Sequence, residues 1–224
     1  MRIHSFLSSN NERTESVKKN ILGSLFIKGV SILVSLLIVP LTIGYVSSEI
    51  YGIWLTLSSI LYWLTYMDVG FTLGLKNRLA EAIALNDLER GKKLVSTTYL
   101  MMVVIFAPLA TVAFFVCPFV DWCNILNINT EYQTDVIRTI QLLAIFMALQ
   151  MIVNVFVAVV AAFQKIALSS LFAVIGQISA FIVIYVMTET VSPSLSNLTF
   201  AYSLMPVLVI AIASFMFYHG AFRK

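Results

Sequence analysis

The sequence predicts an all-α, polytopic membrane protein, a six-transmembrane-helix bundle, and three observations carry that prediction. First, 60% of the 224 residues are hydrophobic and only 11% are charged, with mean hydropathy +0.94, whereas soluble domains carry roughly 25% charge. Second, the charges cluster and leave apolar runs of about 20 residues, the length a bilayer core asks of a helix. Third, lysine and arginine alternate with the apolar runs in the manner of topology signals. The formal net charge of +3 therefore does not point to nucleic acid, since no basic stripe with interleaved aromatics accompanies it.

The apolar runs place six spans at residues 20–46, 50–75, 95–117, 137–163, 166–187 and 198–218. Backbone groups in lipid must be satisfied within their own segment, so runs of this length imply helices rather than barrel strands. Residues 1–19 form a polar N-terminal segment, 20–219 the transmembrane lobe, 220–224 a short tail. The leader is followed by an apolar stretch longer than a signal-peptide core, with no small-x-small cleavage site, so the first span is expected to stay in the membrane. A polar, amphipathic stretch, 76–93, separates the second and third spans.

Orientation follows from the basic residues. Arg2, Arg13, Lys18 and Lys19 precede the first span, and Lys76, Arg78, Arg90, Lys92 and Lys93 lie between the second and third. Lys165 sits between the fourth and fifth, and Arg223 and Lys224 end the chain. The opposite side holds Arg138 with Glu49, Asp121, Glu131, Asp135 and Glu189. The positive-inside rule then puts both termini in the cytoplasm. Pro40, Pro108 and Pro206 fall inside spans, where membrane bundles tolerate the lost hydrogen bond. Gly70 with Gly74, and Gly176 with Ala180, make small-xxx-small pairs that permit close helix approach.

Two charges fall at membrane depth. Lys28 lies nine residues past Lys19, and Asp68 eight before Lys76. At 1.5 Å per residue both are roughly 12–14 Å inward. The first two spans are antiparallel and joined by a short loop, which makes them expected neighbours. The pair is read either as a buried ion pair or as a cation lining a polar pathway with Asp68 positioning it. Ser24, Lys28, Ser31 and Ser35 follow one face of the first helix, and Thr42 extends it. Ser58, Tyr62, Thr65 and Thr72 make a similar stripe on the second. Gln150 and Asn154 are one turn apart on the fourth, with Gln164 further along, and the fifth contributes Gln177. A single stripe is explained by helix packing. Several together point to a hydrated cleft, whose positive charge suits an anionic ligand such as a phosphate.

Patterns for covalent chemistry are not evident: there is no H-E-x-x-H, C-x-x-C or P-loop, and His4 and His219 lack partners for triad or metal work. The sequence implies no cofactor, no metal and no catalytic residue. Cys117 and Cys123 flank the outer end of the third span and read as separate thiols or, less simply, as a disulfide. Asn197-Leu198-Thr199 matches a glycosylation acceptor, a short pattern that chance often produces.

Tyr51-Gly52-Ile53-Trp54 opens the second span, and Asp68-Val69-Gly70-Phe71-Thr72-Leu73-Gly74-Leu75-Lys76-Asn77-Arg78-Leu79-Ala80-Glu81-Ala82 closes it. Through about Thr98 this stretch resembles the Wzx-type polysaccharide flippases. These are the O-antigen and capsule-unit transporters of the multidrug/oligosaccharidyl-lipid/polysaccharide exporter superfamily. The resemblance implies one lobe of a two-lobed exporter fold, in a multi-pass protein of the bacterial inner membrane. Its implied substrate is an undecaprenyl-diphosphate-linked oligosaccharide, moved between leaflets by alternating access and without covalent chemistry. It implies a role for Lys28 at the diphosphate or an acidic sugar, and the polar stripes place Asp68, Ser24, Ser31, Ser35, Gln150, Asn154 and Gln177 along the pathway. Implied partners are membrane lipid, a polysaccharide polymerase and other assembly proteins. Family members have twelve to fourteen helices, so six imply a truncated or half-size form that pairs with a second six-helix lobe or with itself. The alternatives are a multidrug or cation exporter of the same superfamily and a membrane enzyme of polysaccharide assembly.

Overall fold

The computed structural model describes the backbone of residues 2–66 and 70–219, and the side-chain surroundings of 22–59 and 70–219. Asp68 lies outside the described residues, as do the side chains of Tyr62, Trp63 and Thr65 and of the leader and tail. Among the described residues the chain is helical: α1 (Arg2–Val46), α2 (Ser48–Tyr66), α3 (Phe71–Ala84), α4 (Leu88–Val116), α5 (Trp122–Leu126), α6 (Gln133–Ala162), α7 (Ile166–Thr190) and α8 (Leu195–His219). Single 3-10 turns at Cys117–Phe119 and Thr130–Tyr132 flank α5.

Five segments are long and apolar enough to cross a membrane: Leu22–Val46, Leu88–Phe119, Thr130–Ala162, Ile166–Thr190 and Leu195–His219. They coincide with the first, third, fourth, fifth and sixth spans read from the sequence. Their outer faces carry large apolar side chains, including Phe26, Leu33 and Leu36 on α1 and Leu100, Val104 and Phe115 on α4. Such surfaces cost little in lipid and much in water.

The segment read as a continuous second span is divided. α2 ends at Tyr66, and α3 begins at Phe71 after Gly70, whose φ of 83° lies in the left-handed region. A Cβ at Gly70 would meet no atom within 4 Å, so the backbone angle, not close helix approach, is what favours glycine there. Beyond the break, Leu75 and Leu79 of α3 bury against Met102 and Phe106 of α4 and Met151 and Val155 of α6. α3 thus runs back along α4 as the first arm of a hairpin that turns at Asn86, where Asp87 caps α4 by accepting from the Arg90 backbone N–H. The stretch expected to be a polar connection, 76–93, is mostly this hairpin. The leader is likewise part of α1, which is continuous from Arg2.

α6 is the central post: it packs against α4 on one side and α8 on the other, and also meets α2, α3 and α7. At one end of the bundle Val136, Ile140 and Leu143 of α6 bury with Tyr45, Trp54, Leu57, Leu195 and Leu198. At the other, Phe156 packs against Phe172, Phe217 and Tyr218. α1 packs chiefly on α7 and makes a smaller contact with α2, to which Ser47 joins it. The Tyr45 hydroxyl donates to the Ser192 carbonyl, tying the end of α1 to the α7–α8 connection. α1 and α2, though joined by a short turn, are therefore not each other's main neighbours, whereas the consecutive spans α7 and α8 are.

Candidate functional site

α2, α6, α7 and α8 surround a cavity of about 400 Å³. It runs from the middle of the bundle, at the level of Ser58 and Phe146, toward the end where Gln164 connects α6 to α7. Helical periodicity explains which side chains reach it. On α6, Leu143, Met147, Gln150, Asn154 and Val157 recur at spacings of three and four residues and share one face. On α7, Ser169, Ala173 and Gln177 do the same. α8 contributes Tyr202, Ser203, Pro206 and Ile210.

The polar groups are amides and hydroxyls. Gln150 Nε2 donates to Asn154 Oδ1 at 2.9 Å, which leaves the Gln150 oxygen to accept and the Asn154 amide to donate. Gln177 Oε1 accepts from the Ser31 hydroxyl at 2.6 Å, so its amide nitrogen remains a donor. The Ser58 and Ser169 hydroxyls donate to Leu55 and Ile166 carbonyls in their own helices. Among the described residues that line the cavity none is charged. The Tyr202 ring is held edge-on against Trp54, centroids 4.8 Å apart, and Tyr51 also stacks on Trp54.

The geometry of the α7–α8 wall depends on Gly176. A Cβ there would sit 2.9 Å from the Pro206 Cα. Proline at this position leaves α8 unbroken from Leu195 to His219, and the bare glycine lets α7 cross against it. The Gly176–Ala180 pair is thus a packing feature, with both residues buried.

The structure brings together Gln150, Asn154 and Gln177, and it adds Ser31 as the partner of Gln177. Ser24, Lys28 and Ser35 share Ser31's face of α1 but do not line the cavity: Lys28 and Ser35 are exposed, and the Ser35 hydroxyl donates to the Ser31 carbonyl. The physical reason is the seat of α1, which lies against α7 instead of closing over the cleft. The expected meeting of Lys28 with Asp68 falls outside the described residues. Gln164 is an exposed connection residue with φ 61° rather than a member of the α6 stripe.

Ser169, Tyr202 and Ser203 were not singled out from the sequence. Ser169 carries a readable signal, two turns before Gln177 on the same face. Ser203 also carries a readable signal, since Ser196, Thr199 and Ser203 recur at spacings of three and four residues, whereas Tyr202 is not conspicuous in an apolar run.

Cys117 and Cys123 are buried free thiols with separate partners, the carbonyls of Ile137 and Asn129. Among the described residues no group of three or more His, Cys, Asp or Glu side chains could hold a metal ion. Family models, curated proteins and solved structures yield no match to this chain.

Proposed function

We propose that this chain is a six-span lobe of a transporter that moves lipid-linked oligosaccharide units across a bacterial inner membrane. The observation that carries the reading is the cleft among apolar helices that is lined, among the described residues, by amides and hydroxyls. Polar groups inside such a bundle are costly unless they meet one another or a ligand. Gln150, Asn154 and Gln177 each keep a hydrogen-bonding position beyond their protein partners. Hydroxylated glycan units supply both donors and acceptors to fill those positions. The resemblance of the 51–98 stretch to polysaccharide flippases supports the same substrate class.

In this proposal α2 and α3 together make the sixth crossing, broken near Gly70, and the basic residues keep both termini in the cytoplasm. Lys28, exposed on α1 one turn from Ser31, meets the diphosphate outside the cavity while the glycan occupies it. A second copy of this chain completes the pathway, related to the first by an axis along the membrane normal.

The test is export of lipid-linked glycan in cells carrying Lys28→Glu, with membrane insertion monitored alongside. Loss of export with normal insertion is the expected outcome. Full export by the variant would remove Lys28 from the pathway.

A further inference from the structure

We infer that the cavity between α2, α6, α7 and α8 binds an uncharged sugar unit and discriminates against acidic sugars. The inference rests on the transporter reading only for the lipid carrier, and the sugar site stands on the cavity itself.

Three features converge. The volume of about 400 Å³ falls within the roughly 300–1,000 Å³ range of small-molecule sites, enough for a mono- or disaccharide. The free hydrogen-bonding positions are mixed in kind: Gln150 accepts, and Asn154 and Gln177 donate. That mixture suits hydroxyl and acetamido groups, each of which donates and accepts. Apart from the Ser58, Ser169 and Ser203 hydroxyls, the remaining lining is largely apolar, with Phe146 and the ring of Tyr202, surfaces on which the C–H face of a pyranose can rest.

Charge decides the selectivity. A carboxylate brought into this cavity would surrender part of its hydration with no described lining cation to replace it. Lys28 does not compensate, since it is exposed on α1 and absent from the lining. A neutral sugar meets no such penalty, because its hydroxyls exchange water for amides.

The experiment titrates the purified full chain in detergent with two probes of similar size. One is N,N′-diacetylchitobiose; the other is the disaccharide of glucuronic acid and N-acetylglucosamine. Intrinsic fluorescence reports binding, since Trp54 stands against Tyr202. The neutral probe is expected to give a saturable change, and the acidic probe binding at least tenfold weaker. Asn154→Asp and Gln177→Glu keep side-chain size and should each weaken the neutral probe at least tenfold, while Ser35→Ala, off the cavity, leaves it unchanged. Equal affinity for the two probes, no saturable response to the neutral one, or indifference to both cavity variants overturns the inference. The comparison of probes on the unaltered chain needs no variant to fold. Sugar binding without lipid-linked transport would leave this site standing and sink the transporter reading; transport with no preference for neutral sugar would do the reverse.

Discussion

The Ser31 hydroxyl donates a 2.6 Å hydrogen bond to the side-chain oxygen of Gln177, and this bond joins α1 to the wall of the cavity. It orients the Gln177 amide so that its nitrogen is left to donate. Ser31 is thus a positioning residue, acting on the site through another side chain.

Ser31→Ala should cost about 0.6 kcal/mol of stability, the usual worth of an interhelical hydrogen bond in a membrane. Gln177→Leu alone should cost a similar amount, and the double variant should show the two losses to be coupled. A double-mutant cycle by thermal unfolding in detergent measures this. Strictly additive losses would mean that the bond contributes nothing.

Gly176→Ala pits two effects against each other. Alanine in a helix interior is favoured over glycine by about 1 kcal/mol. The added methyl, however, would sit 2.9 Å from the Pro206 backbone, and overpacking costs about 1–3 kcal/mol. The clash is against backbone, which cannot swing aside, so net destabilisation is expected. Gly44→Ala, where a Cβ meets nothing within 4 Å, should be neutral or stabilising. Thermal denaturation of the pair in the same detergent separates crowding from propensity.

Gly70→Ala tests a different requirement. The position has room for a methyl but a φ of 83°, so the loss should come from backbone strain, about 1–2 kcal/mol for a residue held in the left-handed region. Asn, which tolerates that region better, should restore part of the loss. Equal stability for Gly70→Ala and Gly70→Asn would contradict this.

Cys123 lies between the membrane-crossing segments, and burial pushes its thiol pKa up, with the Asp121 carboxylate adding to the shift. The folded chain therefore holds this proton more tightly than the unfolded one. Its stabilising contribution is complete below the ordinary thiol range and is lost as pH rises through the raised folded pKa. Unfolding should become easier in alkali, and Cys123→Ala should reduce that dependence. Alkylation of native protein at pH 8 should likewise be slow at both buried cysteines.

Hydropathy made five of the apolar helices legible, because length and apolarity are local properties of the chain, but not their polar starts: α1 begins at Arg2 and α4 at Leu88. The break before α3 was not legible. Gly70 with Gly74 looks the same on paper whether glycine serves close packing or a left-handed turn, and only the backbone angle separates the two. The seat of α1 was also hidden. A short loop suggests that the first two helices are neighbours, yet α1 packs chiefly on α7. Gln150, Asn154 and Gln177 were readable since amides are conspicuous in apolar runs. Tyr202 was not, as it is not unusual near the start of a membrane helix.

The central claim is that lipid-linked glycan passes through the cavity lined by Gln150, Asn154 and Gln177. The most direct measurement is leaflet-to-leaflet movement of an undecaprenyl-diphosphate-linked neutral oligosaccharide in liposomes containing the full chain. The unaltered protein should speed movement over empty liposomes, and Asn154→Asp should cut the rate at least tenfold while folding normally. An inert unaltered protein, or an unchanged rate in the variant, would contradict the account.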